Sequence, residues 1–161
     1  MTVVADTSVI LNLCFIGQQD LLTPLFGSVL VPRQVVEEFE RLASTDPRFR
    51  GLVFPNLIQS ADETGTAPIL ANATALHRGE IAALSLALHR RADLVLMDER
   101  EGRAAASALG LVTMGLLGIL VQARRRSLIP AVAPFLDLLQ NGARFWIAPA
   151  LREIILRSVH E

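Results

Sequence analysis

Asp6, Glu38, Glu80 and Asp98 are the acidic residues of this sequence whose surroundings suit a divalent metal site for phosphodiester chemistry. Four carboxylates around one pocket repel one another, so a hard cation must neutralise them or some take up protons. An all-oxygen ligand set suits Mg²⁺ or Mn²⁺, whereas zinc normally calls for His or Cys. His77, His89 and His160 show no metal-ligand spacing with Cys14 and are read as structural or exposed. One or two hard cations can orient a water for in-line attack on phosphorus and stabilise the departing oxygen.

Two of the acids end short apolar runs, VVADTS and VLMDER, which read as parallel strands passing directly into helices. In an open α/β sheet, ligands collect beyond the carboxyl ends of the strands where strand order reverses, so both aspartates are placed to face one crevice. Strands are expected at residues 3–5, 28–31, 94–97 and 111–113, and helices at residues 8–16, 79–91 and 99–108. A break at Gly17 precedes a short helix near Leu21, and Pro32 takes the first position of the helix VPRQVVEEFERLA. Between residues 44 and 79, Pro47, Pro55, Gly65 and Pro68 punctuate a short helix, an edge strand near Leu57 and a loop. The segment GEIAALSLALHRR is apolar nearly all round and is expected to be buried. Helices at residues 116–125 and 131–140, a short strand FWI and a terminal helix from Ala150 complete an alternation that implies a mainly parallel sheet flanked by helices.

Each acid also has an ordinary structural explanation. Asp6 suits the N-cap of the helix that follows it. Asp98 reads as a cap as well, with Glu101 three residues on as the far half of a capping box. Glu80 stands in the first turn of its helix, where negative charge favours the macrodipole. Glu38 discriminates better: at 100° per residue it borders the apolar stripe of Val35, Val36, Phe39, Leu42 and Ala43, whereas Glu37 points almost opposite.

The length of 161 residues suits a single domain with chain enough to bury a substantial core. With 52% hydrophobic and 19% charged residues, disorder is excluded as the default. All 15 basic side chains are arginine, a planar fork matched to phosphate, although genomic base composition produces the same bias. A net charge of −1 provides no global attraction to a polyanion, which leaves local patches to do so. The lone Cys14 sits in an apolar stretch as an inert thiol, and the absence of a disulfide pair fits a reducing, cytoplasmic compartment. The amino terminus lacks the positive region of a secretory signal. Residues 104–123 carry no charge and precede Arg124, Arg125 and Arg126, as a membrane span would. Gly110, Gly115 and Gly118 divide them, so helix, turn, strand and second helix is the preferred reading.

DTSVILNL, VPRQVVEEF, RGEIAALSLA and VLMDERE, in that order and spacing, resemble the PIN domain family, and most closely its toxin-like branch related to VapC ribonucleases. The resemblance covers essentially the whole chain, including LLGILVQARRRSLIP. It implies a three-layer α/β PIN-like fold over residues 1–161, with a helical carboxyl-terminal extension from about residue 115. It further implies that Asp6, Glu38, Glu80 and Asp98 bind Mg²⁺ or Mn²⁺, with Ser8 assisting through a hydroxyl or a water. Glu99 and Glu101 fall where the family varies. The implied activity is hydrolysis of RNA to a 5'-phosphate and a 3'-hydroxyl. The implied partners are a small antitoxin protein and a second copy of the chain.

Arg78, Arg100 and Arg103 flank these motifs as candidate RNA contacts, though each also suits a solvated helix end. Arg124 to Arg126 form the densest basic run, which equally serves a helix carboxyl terminus. With no tyrosine and one tryptophan, no base-stacking platform is expected, and specificity is assigned to RNA shape or accessibility. Two rivals remain. One is a noncatalytic module that binds a partner through apolar residues 116–129. The other is a phosphatase with Asp6 as nucleophile, which needs a second aspartate where Ser8 stands.

Overall fold

Short runs of β-branched and leucine residues pair in parallel to form one sheet in a computed structural model that describes residues 1–61 and 65–161. The strands are β1 (Val3–Ala5), β2 (Val29–Pro32), β3 (Ile58–Ala61), β4 (Leu94–Leu96) and β5 (Thr113–Met114). Their order across the sheet is β3-β2-β1-β4-β5. Every residue of β1 and β4 is buried. Successive side chains of a strand point to opposite faces, so both faces of the sheet centre are covered, which makes the fold three-layered.

The helices are α1 (Thr7–Phe15), α2 (Leu22–Phe26), α3 (Arg33–Thr45), α4 (Arg78–His89), α5 (Arg100–Ala108), α6 (Leu116–Arg125), α7 (Ala133–Gly142) and α8 (Pro149–Ser158). α1 carries Val9, Ile10, Leu11 and Leu13 into the core, while α3 buries only Val35 and Phe39 and leaves its other side to solvent. Phe39 is fully buried and meets Phe54 edge to face at 5.2 Å. Truncating a side chain so placed costs about 3–5 kcal/mol.

The chain runs outward from β1 through β2 to β3, then crosses back over both to add β4 on the other side of β1. Strand order therefore reverses between β1 and β4, which opens the crevice at their carboxyl ends. The register pairs Ala5 with Leu96, and the Asp6 amide donates to the Leu96 carbonyl at 2.9 Å. Asp6 and Asp98 are thus delivered to the two lips of one opening.

Four local expectations change. Pro32 closes β2 in extended geometry and caps α3, instead of opening it, because its ψ of 157° is that of a strand and it pairs in register with Ala61. Residues 145–147 form no strand: the Phe145 amide bonds to the Leu139 carbonyl of the preceding helix at 2.9 Å, so it is spent outside the sheet. β5 begins at Thr113, two residues later than its apolar run suggests. In the segment after α3, the short helix is a 3-10 turn at Pro68–Leu70, while the edge strand forms as β3. The loop expected across residues 62–64 lies outside the described residues. Gly110, at φ +76°, turns the chain between α5 and β5 in a conformation that L side chains rarely adopt. Among the described residues no helix is long and apolar enough to cross a membrane.

Candidate functional site

Asp6 stands at the N-cap position of α1, yet its carboxylate makes no capping hydrogen bond. It is 3% exposed. Burial pushes its carboxyl up to about 7; the neighbouring Thr7 amide favours the ionised form, and the charges of Glu80, Glu38 and Glu99 add to the rise. Glu80, on the first turn of α4, is also buried, and burial raises its carboxyl too. The His77 amide and ring oppose that rise, while Glu99 and Glu101 reinforce it.

Asp98 does not cap α5, whose N-cap is Glu99. Its Oδ1 instead accepts the amide of Leu116, the first residue of α6, at 2.9 Å. The capping-box reading with Glu101 is therefore wrong, because α5 starts one residue later than that box requires. Burial raises Asp98 to about 6 against the Leu116 amide and the Arg103 guanidinium, with Glu99 again adding to the rise.

Glu38 is half-buried and turned toward the site, where its Oε2 accepts the Thr7 hydroxyl at 3.1 Å. Glu37, one residue earlier, is exposed and pairs with Arg33 and Arg78 at 3.2 Å each. The helical stripe thus separates the two as expected.

These acids are only partly satisfied. Glu80 bonds the His77 amide through Oε1 at 3.4 Å, closing half of a capping box, but its buried Oε2 has no partner among the described residues. The same holds for the buried Asp98 Oδ2 and Ser8 Oγ. A buried carboxylate oxygen without a donor costs more than one that is paired, and a cation or a substrate donor is the kind of partner that would satisfy these atoms.

Three glycines make room for three of the acids. A Cβ at Gly79 would overlap Oε2 of Glu38. At Gly102 it would lie 2.8 Å from Oε2 of Glu80, and at Gly115 2.6 Å from Oδ1 of Asp98. Any larger residue would displace the carboxylate it faces.

A cavity of about 310 Å³ opens above the acids and is bordered by Thr7, Ser8, Glu38, Asp98 and Glu99. Asp6 and Glu80 lie outside its lining; the charges of Glu38 and Glu99 act on Asp6, and that of Glu99 on Glu80. Glu99 is the common neighbour, acting on Asp6, Glu80 and Asp98 alike, which the variability of its position had concealed. Of the expected RNA contacts, Arg103 is exposed beside Asp98. Arg78 lines a separate recess of about 290 Å³ on the other side of Glu38. Arg100 is exposed on the first turn of α5 and borders neither cavity. Arg48, Arg144 and Trp146 line the larger cavity unexpectedly. They come from the loops after α3 and α7, whose sequence carries no signal of approach to β1 and β4. Cys14 is partly buried with its thiol pushed up to about 12 by burial, so it is inert.

The four acids offer only oxygen, and the unpartnered Glu80 and Asp98 atoms fit a hard divalent cation. Among the described residues no three His, Cys, Asp or Glu side chains already converge closely enough to grip an ion. Burial is the main cause of the raised carboxyls, and the unpartnered oxygens are what argue for a cation. Compared with known families, residues 2–161 match the model of the DUF3368 family, described as a PIN domain. No curated protein and no solved structure matches the chain.

Proposed function

Because this chain belongs to the PIN domain family, a nuclease fold in general, we propose that it is an endoribonuclease dependent on Mg²⁺ or Mn²⁺. The observation that carries this reading is the set of acids at the β1–β4 switch point, where Asp6 and Glu80 are buried and Glu80 and Asp98 each keep a buried oxygen without a partner among the described residues. Asp6, Glu38, Glu80 and Asp98 would hold the cation, with Glu99 at the margin. When bound, it supplies Lewis-acid activation of water and neutralises charge on the phosphate. The protein's own part is orientation. Thr7 fixes Glu38 through their hydrogen bond, and Gly79, Gly102 and Gly115 let the carboxylates sit against the backbone. Arg103 offers a guanidinium to a phosphate oxygen beside Asp98, and the Ser8 hydroxyl is available for a hydrogen bond at the cavity wall. By the family resemblance, the products are a 5'-phosphate and a 3'-hydroxyl.

We further assign the chain as the toxin of a toxin–antitoxin pair, on the likeness of its four ordered motifs to the VapC branch. Leu138 on α7 and Leu151 and Ile154 on α8 are exposed apolar residues suited to a small antitoxin or a second copy. The rival reading, a noncatalytic interaction module, drew on the apolar surplus of residues 116–129. Leu116, Ile119, Leu120, Ala123 and Ile129 are all buried in the protein's own core, which removes most of that surplus.

Purified protein is expected to cleave single-stranded RNA with Mg²⁺ or Mn²⁺. Asp6→Asn and Asp98→Asn are each expected to slow cleavage roughly 10³-fold while circular dichroism stays unchanged. Equal cleavage by wild type and both variants would identify a contaminant and overturn the assignment. A stable partner complex with no metal-dependent turnover would favour the interaction module.

A further inference from the structure

Trp146 is the only tryptophan of the sequence and is 81% exposed at the rim of the cavity that holds Ser8, Glu38, Asp98 and Glu99. Of its neighbours, Phe145 is half-buried and lines the same cavity, and Ile147 is 3% exposed. The backbone beneath the indole is pinned. Phe145 bonds back to Leu139, and Arg48 donates from Nη1 to the Ala143 carbonyl at 3.2 Å. Arg48 is itself held by Asp46 at 2.6 Å and stands 4.9 Å over the Phe49 ring. Between them Arg144 takes a left-handed φ of 54°, which costs a non-glycine residue energy that the anchors on either side supply. Arg144 is exposed and makes no ion pair within 4 Å among the described residues, although its charge reaches Asp46.

A large aromatic face held rigidly in water beside a polar cavity exposes apolar area that a stacked partner would cover. The cavity's own carboxylates disfavour an acidic partner on that face, while a planar base carries no charge and its phosphate can be met by a guanidinium. We propose that Trp146 and Arg144 form a nucleotide subsite for single-stranded RNA, in which the indole stacks on one unpaired base and Arg144 holds an adjoining phosphate. Paired bases are already stacked within a duplex, so this subsite selects against double-stranded RNA. It deepens the ribonuclease reading and rests on it for the identity of the ligand.

The lone indole permits a direct test. Full-length Asp98→Asn protein is titrated with a short single-stranded RNA while tryptophan fluorescence is followed. Saturable quenching is expected, strongly reduced with an abasic oligonucleotide of the same length and with duplex RNA. In the otherwise wild-type chain, Trp146→Ala is expected to raise KM about ten-fold, with the loss in KM rather than kcat, and Trp146→Phe to recover most of it. Unchanged fluorescence with an RNA that the wild type cleaves would overturn the subsite and leave the ribonuclease reading standing. Saturable, base-dependent quenching without any cleavage would support the subsite as an RNA-binding feature and count against the ribonuclease reading.

Discussion

Asp98 and Glu161 lie near the two ends of α6 and do the same local job, each accepting backbone amides at the start of a helix. Asp98 takes the Leu116 amide of α6, and Glu161 takes those of Val132 and Ala133 at α7, at 2.8 and 2.9 Å. Their second oxygens separate them. Both oxygens of Glu161 are bonded and Arg124 stands 3.5 Å away. Burial alone would raise Glu161, but the amides and Arg124 outweigh it and hold the carboxyl below its usual range. Asp98 keeps Oδ2 buried without a partner, and burial wins, pushing it up to about 6. Glu161 is satisfied on both sides, while Asp98, which we propose holds a ligand, is left half-satisfied at a cost to stability.

The sharpest way to break this comparison is to neutralise both groups. Asp98→Asn should cost roughly 10³-fold in RNA cleavage with no loss of thermal stability at pH 8, since the amide oxygen still accepts from Leu116. Glu161→Ala should leave kcat intact and lower stability by about 1–2 kcal/mol in urea denaturation, as loss of a helix cap does. If Asp98→Asn proved the more destabilising of the two, Asp98 would be a structural cap and the contrast would collapse.

A smaller effect is expected from the glycine that Asp98 leans on. Gly115→Ala places a methyl against Oδ1 and close to Arg103, so it should cost about 1–3 kcal/mol and lower cleavage by a further one to two orders of magnitude. Gly110→Ala is a control for backbone strain alone, because its Cβ meets nothing within 4 Å. Equal loss of cleavage in both would show that crowding of Asp98 is irrelevant.

The mildest test is pH. The folded carboxyls of Asp6 and Asp98, at about 7 and about 6, hold protons more tightly than an aspartate in water does. Between pH 4 and 7 the folded state therefore binds more protons, and stability from these groups falls as pH rises through that window. Tm of the metal-free protein should drop by roughly 5 °C between pH 5 and pH 8, and Asp6→Asn should flatten the change. Mg²⁺ should restore Tm at pH 8 more than at pH 5, because binding must displace those protons. A Tm that rises over this range would place the carboxyls on the Glu161 side of the comparison.

Much of this was legible from residue patterns. The order of strands and helices, the two strand-ending aspartates and the inward turn of Glu38 against Glu37 all follow from periodicity within one segment, which burial against a single core enforces. The pattern failed where an amide has a partner in another element. FWI has the composition of a strand, but Phe145 bonds to Leu139. Asp98 has the spacing of a cap for α5, but the register of β4 with β5 brings Leu116 to it first.

Local spacing was enough for the alternation of elements, the aspartates that end two strands and the inward turn of Glu38, while the likeness of four ordered motifs pointed to the family and to Asp6, Glu38, Glu80 and Asp98 as one group. Only the tertiary structure decided that Glu99 couples to three of those acids, that Gly79, Gly102 and Gly115 seat their carboxylates, and that Arg144 and Trp146 reach the same cavity. Those relations depend on distances between segments far apart in the chain, which strand order and helix packing set and local spacing does not encode.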